Sequence, residues 1–129
     1  MSEVKFIAIY GRVSESEDEK DSSVPLQMKD GAAFAKKRWP GEPVDTTFHE
    51  VVTARNIAGR PEFCRLLALC KEGRISRVIV RDQDRLARSD AVELLQCFAF
   101  FQRNDVEVWQ YRSGARIRTD DPHSKLSVT

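Results

Sequence analysis

The segment Tyr10-Gly11-Arg12-Val13-Ser14 follows directly on a mainly apolar run over residues 4–9. An apolar run of this length, bounded by Gly11, predicts a strand that is buried on both faces. In open parallel α/β sheets, ligands bind at the edge where such strands end and loops begin. Because side chains alternate along an extended segment, Arg12 and Ser14 are expected to point the same way. The alternative is that Ser14 caps a turn while Arg12 is a solvated surface charge.

Helical and extended patterns alternate along the rest of the chain. Helices are predicted from Pro25 to Trp39, from Pro61 to Gly73 and from Ser89 or Asp90 to Arg103, and strands over residues 44–52, 77–80 and 106–111. The apolar stripe of the first helix is Met28, Ala32 and Ala35, with Phe34 as a further candidate, and that of the second is Phe63, Leu66, Leu67 and Cys70. This order, β-α-β-α-β-α-β, predicts the α/β class with a mostly parallel sheet of four to five strands flanked by helices. The segment from Arg112 onward is polar and basic and predicts no further element.

The predicted helix that ends near Arg103 is apolar on more than one side. Its apolar residues are Ala91, Val92, Leu94, Leu95, Phe98, Ala99 and Phe101. Such a helix needs two partners. The second side is either a subunit interface or is buried between the sheet and another element of the same chain.

The composition is that of one folded domain. The chain has 129 residues, 41% of them hydrophobic and 32% charged, with a formal net charge of +1. Any anion site must therefore come from local clustering of arginines. Three cysteines without metal-ligand spacing predict buried free thiols rather than a disulfide framework or a zinc site. No apolar run is long enough to span a membrane, and we expect a cytoplasmic protein.

Arginines gather around the predicted strand ends. Arg12 follows the first strand, Arg85 and Arg88 follow the strand at residues 77–80, and Arg60 begins a helix. A guanidinium is permanently charged and binds two phosphate oxygens at once, so this set suits a phosphate without a metal. A serine hydroxyl that attacks phosphorus would form a covalent phosphoseryl intermediate. His49 and His123 are interpreted as ordinary polar residues.

These residues resemble the catalytic domain of the serine recombinases, the family of resolvases, invertases and serine integrases. The resemblance rests on Tyr10-x-Arg12-Val13-Ser14, on Gln27, on Arg60 before Pro61, and on the motif Asp84-Arg85-Leu86-Ala87-Arg88-Ser89. It runs in the correct order over residues 7–108. A longer acidic loop at residues 15–21 is more similar to the integrase and transposon-recombinase branch than to the small resolvases.

The resemblance implies a role for each matched residue. Ser14 would attack a DNA phosphodiester and become linked to the 5′ phosphate, releasing a 3′ hydroxyl. The catalytic and supporting residues implied are Arg12, Arg60, Arg85 and Arg88 on the scissile phosphate, Asp84 and Gln27 orienting those groups or moving protons, with Glu50 and Tyr10 as possible supporting residues. The resemblance implies no cofactor, because the family needs neither a metal nor ATP.

The resemblance also sets expectations about partners and domains. The partner would be double-stranded DNA, with a dimer or tetramer of the whole protein and no membrane. We expect residues 1–129 to be a single catalytic domain that stops before a long interface helix and a separate DNA-binding domain.

Two other functions compete with this interpretation. In a metal-dependent nuclease, Glu50, Asp82, Asp84 and Asp90 would hold Mg²⁺, although the interleaved arginines would repel the cation. In a non-catalytic DNA-binding, partner-binding or dimerisation module, the arginines would form ion pairs with the many acidic residues.

Overall fold

A computed structural model describes residues 4–14, 23–52, 59–86 and 91–117. Its elements are β1 (Phe6–Ser14), α1 (Val24–Arg38), β2 (Val44–Val52), α2 (Pro61–Lys71), β3 (Ile75–Val80), a 3₁₀ turn (Gln83–Arg85), α3 (Ala91–Arg103), β4 (Glu107–Gln110) and β5 (Arg116–Ile117). The five strands form one sheet in the order β2-β1-β3-β4-β5. Strands β1 to β4 are parallel and β5 is antiparallel to β4, which confirms the predicted α/β class.

Strand β1 lies inside the sheet between β2 and β3. Ile7, Ala8 and Ile9 are fully buried, as expected for a strand that is covered on both faces. The strand runs on from Ile9 to Ser14 because β2 continues beside it, with Ser14 opposite Val52. The register with β3 runs only as far as Ile9 opposite Ile79. The end of β1 therefore projects beyond β3 at the carboxyl edge of the sheet.

Helix α1 covers one face of the sheet. It begins as predicted, since the side chain of Ser23 accepts a hydrogen bond from the Leu26 N–H and Pro25 lies in the first turn. Met28 and Ala35 are buried against β1 and β3 residues. Gly31, which the predicted apolar stripe did not include, is also buried. A Cβ at this position would collide with Cγ2 of Ile9, so the helix approaches β1 closely there.

Helices α2 and α3 contribute to a second core cluster. Phe63, Leu66 and Cys70 of α2 are fully buried, as the helical periodicity predicted. On α3, Phe98 and Phe101 are buried, whereas the exposed-side residues Val92 and Leu95 are 63% and 37% exposed. The described part of the chain therefore covers one side of α3 and leaves the other side exposed. Of the two alternatives for the second side, burial within the same chain is not seen among the described residues.

Two expectations are corrected. The segment after Arg112 is not featureless, because a turn through Gly114 (φ +74°) returns the chain as β5, which pairs with β4. Cys64 is exposed, whereas Cys70 and Cys97 are buried free thiols as predicted. Cys64 lies on α2 outside the buried stripe, so its presence in a helical pattern did not imply burial.

Among the described residues, no helix combines the length and the apolar character that a membrane span requires.

Candidate active site

Four polar side chains are buried among the residues that the structure describes, and all four belong to the predicted site. Arg12 is 4% exposed, Gln27 1%, Arg60 2% and Arg85 6%. A buried guanidinium loses its hydration and must recover hydrogen bonds and opposite charge from its surroundings. Arginines that only form solvated ion pairs with surface acids would be exposed, whereas three arginines of this 129-residue chain are buried.

Hydrogen bonds from side chain to backbone link the three buried arginines. The Nε of Arg12 and the Nη1 of Arg60 both donate to the carbonyl oxygen of Arg85, at 3.3 Å and 3.1 Å. In return, the Nη1 of Arg85 donates to the carbonyl oxygen of Arg12 at 2.9 Å. These residues come from the end of β1, the start of α2 and the turn after β3. The carboxyl edge of the sheet thus brings together residues that are far apart in sequence.

Gln27 binds the backbone of Arg12 at both ends of its carboxamide. The N–H of Arg12 donates to Oε1 at 3.1 Å, and Nε2 donates to the carbonyl oxygen of Arg12 at 3.2 Å. This contact lies just beyond the point where the β3 register stops, so the side chain occupies the place that a neighbouring strand would take. Gln27 thus holds the backbone of Arg12 at the end of β1, and its predicted role in orienting groups or moving protons stays a prediction.

Glu50 and Tyr10 form the wall of the site nearest to α2. The hydroxyl of Tyr10 donates to Oε2 of Glu50 at 2.6 Å, and the backbone N–H groups of Glu62 and Phe63 donate to Oε1 and Oε2 at 2.9 Å and 3.1 Å. Arg60 is the N-cap of α2 and makes no side-chain cap itself. The carboxylate of Glu50 supplies the cap from β2, where the helix dipole favours negative charge.

Burial and the hydrogen bond to Glu50 raise the pKa of Tyr10 well above its ordinary value, against the opposing effect of Arg60 and Arg12. Tyr10 is 1% exposed and its ring lies 5.1 Å from that of Phe63. Tyr10 is therefore a protonated, packed residue that holds Glu50 by a hydrogen bond.

Two residues near Arg60 were not singled out from the sequence. The guanidinium carbon of Arg60 lies 4.5 Å from the ring centre of Phe63, and its Nη2 lies 3.7 Å from Oε1 of Glu93. Phe63 was predicted only as a core residue of α2. Glu93 follows the arginine motif in the first turn of α3, and no spacing rule marks it as a partner of Arg60.

Part of the predicted site falls outside the described side chains. The backbone of Ser14 ends β1 and that of Asp84 lies in the 3₁₀ turn, but neither side chain is described. Arg88 and His123 lie outside the described residues, and His49 is exposed. The predicted common orientation of Arg12 and Ser14 therefore stays a prediction.

The two fully described carboxylates of the nuclease alternative are bound to protein groups. Glu50 binds Tyr10 and the start of α2. Asp82 pairs with Arg81 at 3.4 Å and lies 4.0 Å from Nε of Arg85. Within the part of the chain that the structure describes, no three His, Cys, Asp or Glu residues gather as a metal site would require.

The fold is shared with several solved recombinase domains. The N-terminal catalytic domain of TP901-1 integrase superposes with a TM-score of 0.66 at 23% identity, over 87% of this chain and 81% of that one. A resolvase family site-specific recombinase from Streptococcus pneumoniae gives 0.63 at 25% identity, over 93% and 79% of the two chains. The C-terminal catalytic domain of ISC1926 TnpA, an IS607-like serine recombinase, gives 0.62 at 20% identity, over 81% and 66%. The fold is thus of the class found in recombinase catalytic domains.

A family model described as Resolvase, N terminal domain matches residues 7–129. The chain belongs to this family, and its fold and family together define it as a site-specific recombinase catalytic domain. A comparison with curated proteins finds no match.

Proposed function

We propose that this domain cuts and rejoins double-stranded DNA through a covalent bond to Ser14. The observation that carries the proposal is the burial of Arg12, Arg60 and Arg85 next to the end of β1, where Ser14 is the last residue. Arg12 and Arg60 both donate to the carbonyl oxygen of Arg85, and Arg85 donates to that of Arg12. Buried guanidinium groups at fixed positions favour the negative charge that develops on a phosphodiester during displacement. Membership of the resolvase family and the likeness to a site-specific recombinase support the same reaction.

In the proposed step, Oγ of Ser14 forms a bond to phosphorus while the bond from phosphorus to the 3′ oxygen breaks. Ser14 loses its proton and the 3′ oxygen gains one, so the step is balanced and leaves a 5′ phosphoserine and a 3′ hydroxyl. The new ester retains the energy of the broken bond, and a 3′ hydroxyl of another strand reverses the step without ATP. Gln27 and Glu50 act as positioning residues for Arg12 and Arg60. Asp84 and Arg88 complete the proposed site on the family pattern.

Exchange of strands requires several active sites, so we also propose that the domain works within a dimer or tetramer on DNA.

The experiment is covalent capture on DNA. The protein is incubated with a pool of nicked duplexes of randomised core sequence in the presence of a chelator, and denaturing gels are followed by mass spectrometry of the digested adduct. We expect a nucleotide on Ser14 and no adduct in Ser14→Ala. An adduct that survives in Ser14→Ala contradicts the proposal, and metal-dependent cutting without an adduct favours the nuclease alternative.

The same assay tests the arginines. Arg85→Ala and Arg88→Ala are expected to slow adduct formation by about 10²-fold or more, the usual effect of losing one group that stabilises transition-state charge. Arg81→Ala is the matched control, because Arg81 is paired with Asp82 beside the same turn and is not in the proposed set. Equal rates in all three variants would remove the arginines from the mechanism.

A further inference from the structure

The charge of Arg60 is buried and needs an opposite charge nearby. Its side chain is 2% exposed, its Nη1 donates to the carbonyl oxygen of Arg85, and its guanidinium carbon lies 4.5 Å from the ring centre of Phe63. A carbonyl and an aromatic face supply partial charge only, whereas a buried ion is stable when a full counter-charge is close.

Glu93 is the acidic residue that pairs with Arg60 among the described residues, with Oε1 at 3.7 Å from Nη2. The other carboxylate of this wall, Glu50, accepts hydrogen bonds from Tyr10 and from the first N–H groups of α2. Glu50 therefore stabilises the helix that carries Arg60, and Glu93 balances the charge of the guanidinium.

The pair leaves hydrogen-bond donors of Arg60 for a ligand. A separation of 3.7 Å is too long for a hydrogen bond. The Nε and Nη2 atoms of Arg60 are buried without a hydrogen-bond partner in the described part of the chain. Glu93 lies in the first turn of α3 and its side chain is 21% exposed, so its carboxylate lies at the solvent edge of the site.

We propose that Glu93 is an internal counter-ion that competes with the DNA phosphate for Arg60. It balances and holds the guanidinium before DNA binds, and it lowers the affinity of the site for a phosphate group. This proposal rests on the proposed function, in which Arg60 binds the scissile phosphate. Glu93 is thus a positioning residue that sets the strength of phosphate binding.

The test compares binding of inorganic phosphate to the wild-type chain, Glu93→Gln and Arg60→Gln, measured by titration and by the rise in the unfolding temperature at constant ionic strength. Glu93→Gln is expected to bind phosphate at least about threefold more tightly, because a nearby negative charge is removed. Glu72→Gln is the control, since it changes the net charge equally at the exposed residue that follows α2. A purely structural role for Glu93 would lower the unfolding temperature without tightening phosphate binding.

The outcomes separate this inference from the proposed function. Suppose that Arg60→Gln binds phosphate more weakly than the wild-type chain, while Glu93→Gln binds it equally or more weakly. This result overturns the role of Glu93 and leaves the anion site in place. Measurable phosphate binding of equal strength by the wild-type chain and Arg60→Gln contradicts the site itself. Phosphate binding that is detected in Glu93→Gln but not in the wild-type chain supports the competition. If neither of these two proteins binds phosphate, the proposal is overturned. If Glu93→Gln does not fold, Glu93→Asp, which withdraws the carboxylate, must bind phosphate more tightly than the wild-type chain.

Discussion

Gln27 shows how a side chain can replace a strand at the end of a sheet. Its carboxamide both accepts from and donates to the backbone of Arg12, three residues beyond Ile9, the last β1 residue that pairs with β3. It thereby fixes the end of β1, which carries Arg12 and Ser14. Precise orientation of reacting groups contributes much of the rate in enzymes whose chemistry depends on positioning.

We therefore predict that Gln27→Leu keeps the fold but slows covalent capture of DNA. The variant removes a buried acceptor and a buried donor, at a cost of about 2 kcal/mol in the free energy of unfolding. The rate of adduct formation should fall by at least about tenfold, because the end of β1 is no longer held. Urea unfolding and denaturing gels measure the two effects.

The pH dependence of that rate distinguishes positioning from proton transfer. If Gln27 only positions Arg12, the pH profile of Gln27→Leu keeps the shape of the wild-type profile at a lower rate. Leu26→Ala changes the exposed neighbour and serves as the control. A full rate in a folded Gln27→Leu, or a profile of different shape, would contradict the positioning role.

The sequence predicted the buried members of the site because they lie beside recognisable boundaries. Arg12 and Arg85 follow apolar strands, Arg60 precedes Pro61, and Gln27 lies in a first helical turn. Glu93 could not be found in this way. Its partner is 33 positions earlier in the chain, and the contact depends on how α2 and α3 lie against the sheet.

At the scale of the elements, helices could be predicted more fully than the contacts between them. The spacing of Phe63, Leu66 and Cys70 identified α2 because one buried stripe repeats every turn. Strand β5 was missed because two residues carry no period, and its pairing depends on the turn at Gly114. The close contact of Gly31 with β1 was missed because a glycine has no side chain to mark a stripe.

That contact leads to a prediction for Gly31→Ala. Alanine favours a helix over glycine by about 1 kcal/mol, so an exposed site would gain stability. Here the new Cβ would collide with Cγ2 of Ile9, and both residues are buried. We expect a net loss of about 1 to 3 kcal/mol in the free energy of unfolding, as overpacked cores show. Urea unfolding measures it.

A double-mutant cycle supplies the control. Ile9→Ala removes the atom in the way and by itself leaves a cavity. If the collision causes the loss, the double variant loses less free energy of unfolding than the two single variants lose when their losses are added. Additive effects, or a stabilised Gly31→Ala, would show that α1 shifts without cost.

Over the whole molecule, the sheet separates two core clusters and the site lies at its carboxyl edge. The cluster on the α1 face contains Ile7, Ile9 and Met28, whereas the cluster that includes α2 and α3 residues also holds Tyr10, Cys70 and Cys97. That second cluster thus buries three groups that can lose a proton. Burial raises the pKa of Cys70 to about 12 and that of Cys97 to about 11, because a buried thiolate is poorly solvated.

These thiols make the fold sensitive to alkali. In the unfolded chain they lose their protons near the ordinary pKa of 9.0, whereas the folded chain keeps them protonated to about pH 11 or 12. Their contribution to stability is therefore fully present below pH 9.0 and is lost as the pH rises through the folded values. Tyr10, whose pKa is also raised by burial, adds to the loss above its ordinary value of 10.0.

We predict that the free energy of unfolding falls by at least about 2 kcal/mol between about pH 8 and pH 11, since each unit of pKa difference corresponds to about 1.4 kcal/mol. Urea unfolding at a series of pH values measures the slope. Cys70→Ala combined with Cys97→Ala should be less stable at neutral pH because of the cavities, yet should lose less stability on going to pH 11. Cys64→Ala removes an exposed thiol and should keep the wild-type slope. A wild-type slope in the double variant would mean that other groups cause the alkaline loss, and a flat wild-type profile would mean that the buried thiols ionise as readily as free ones.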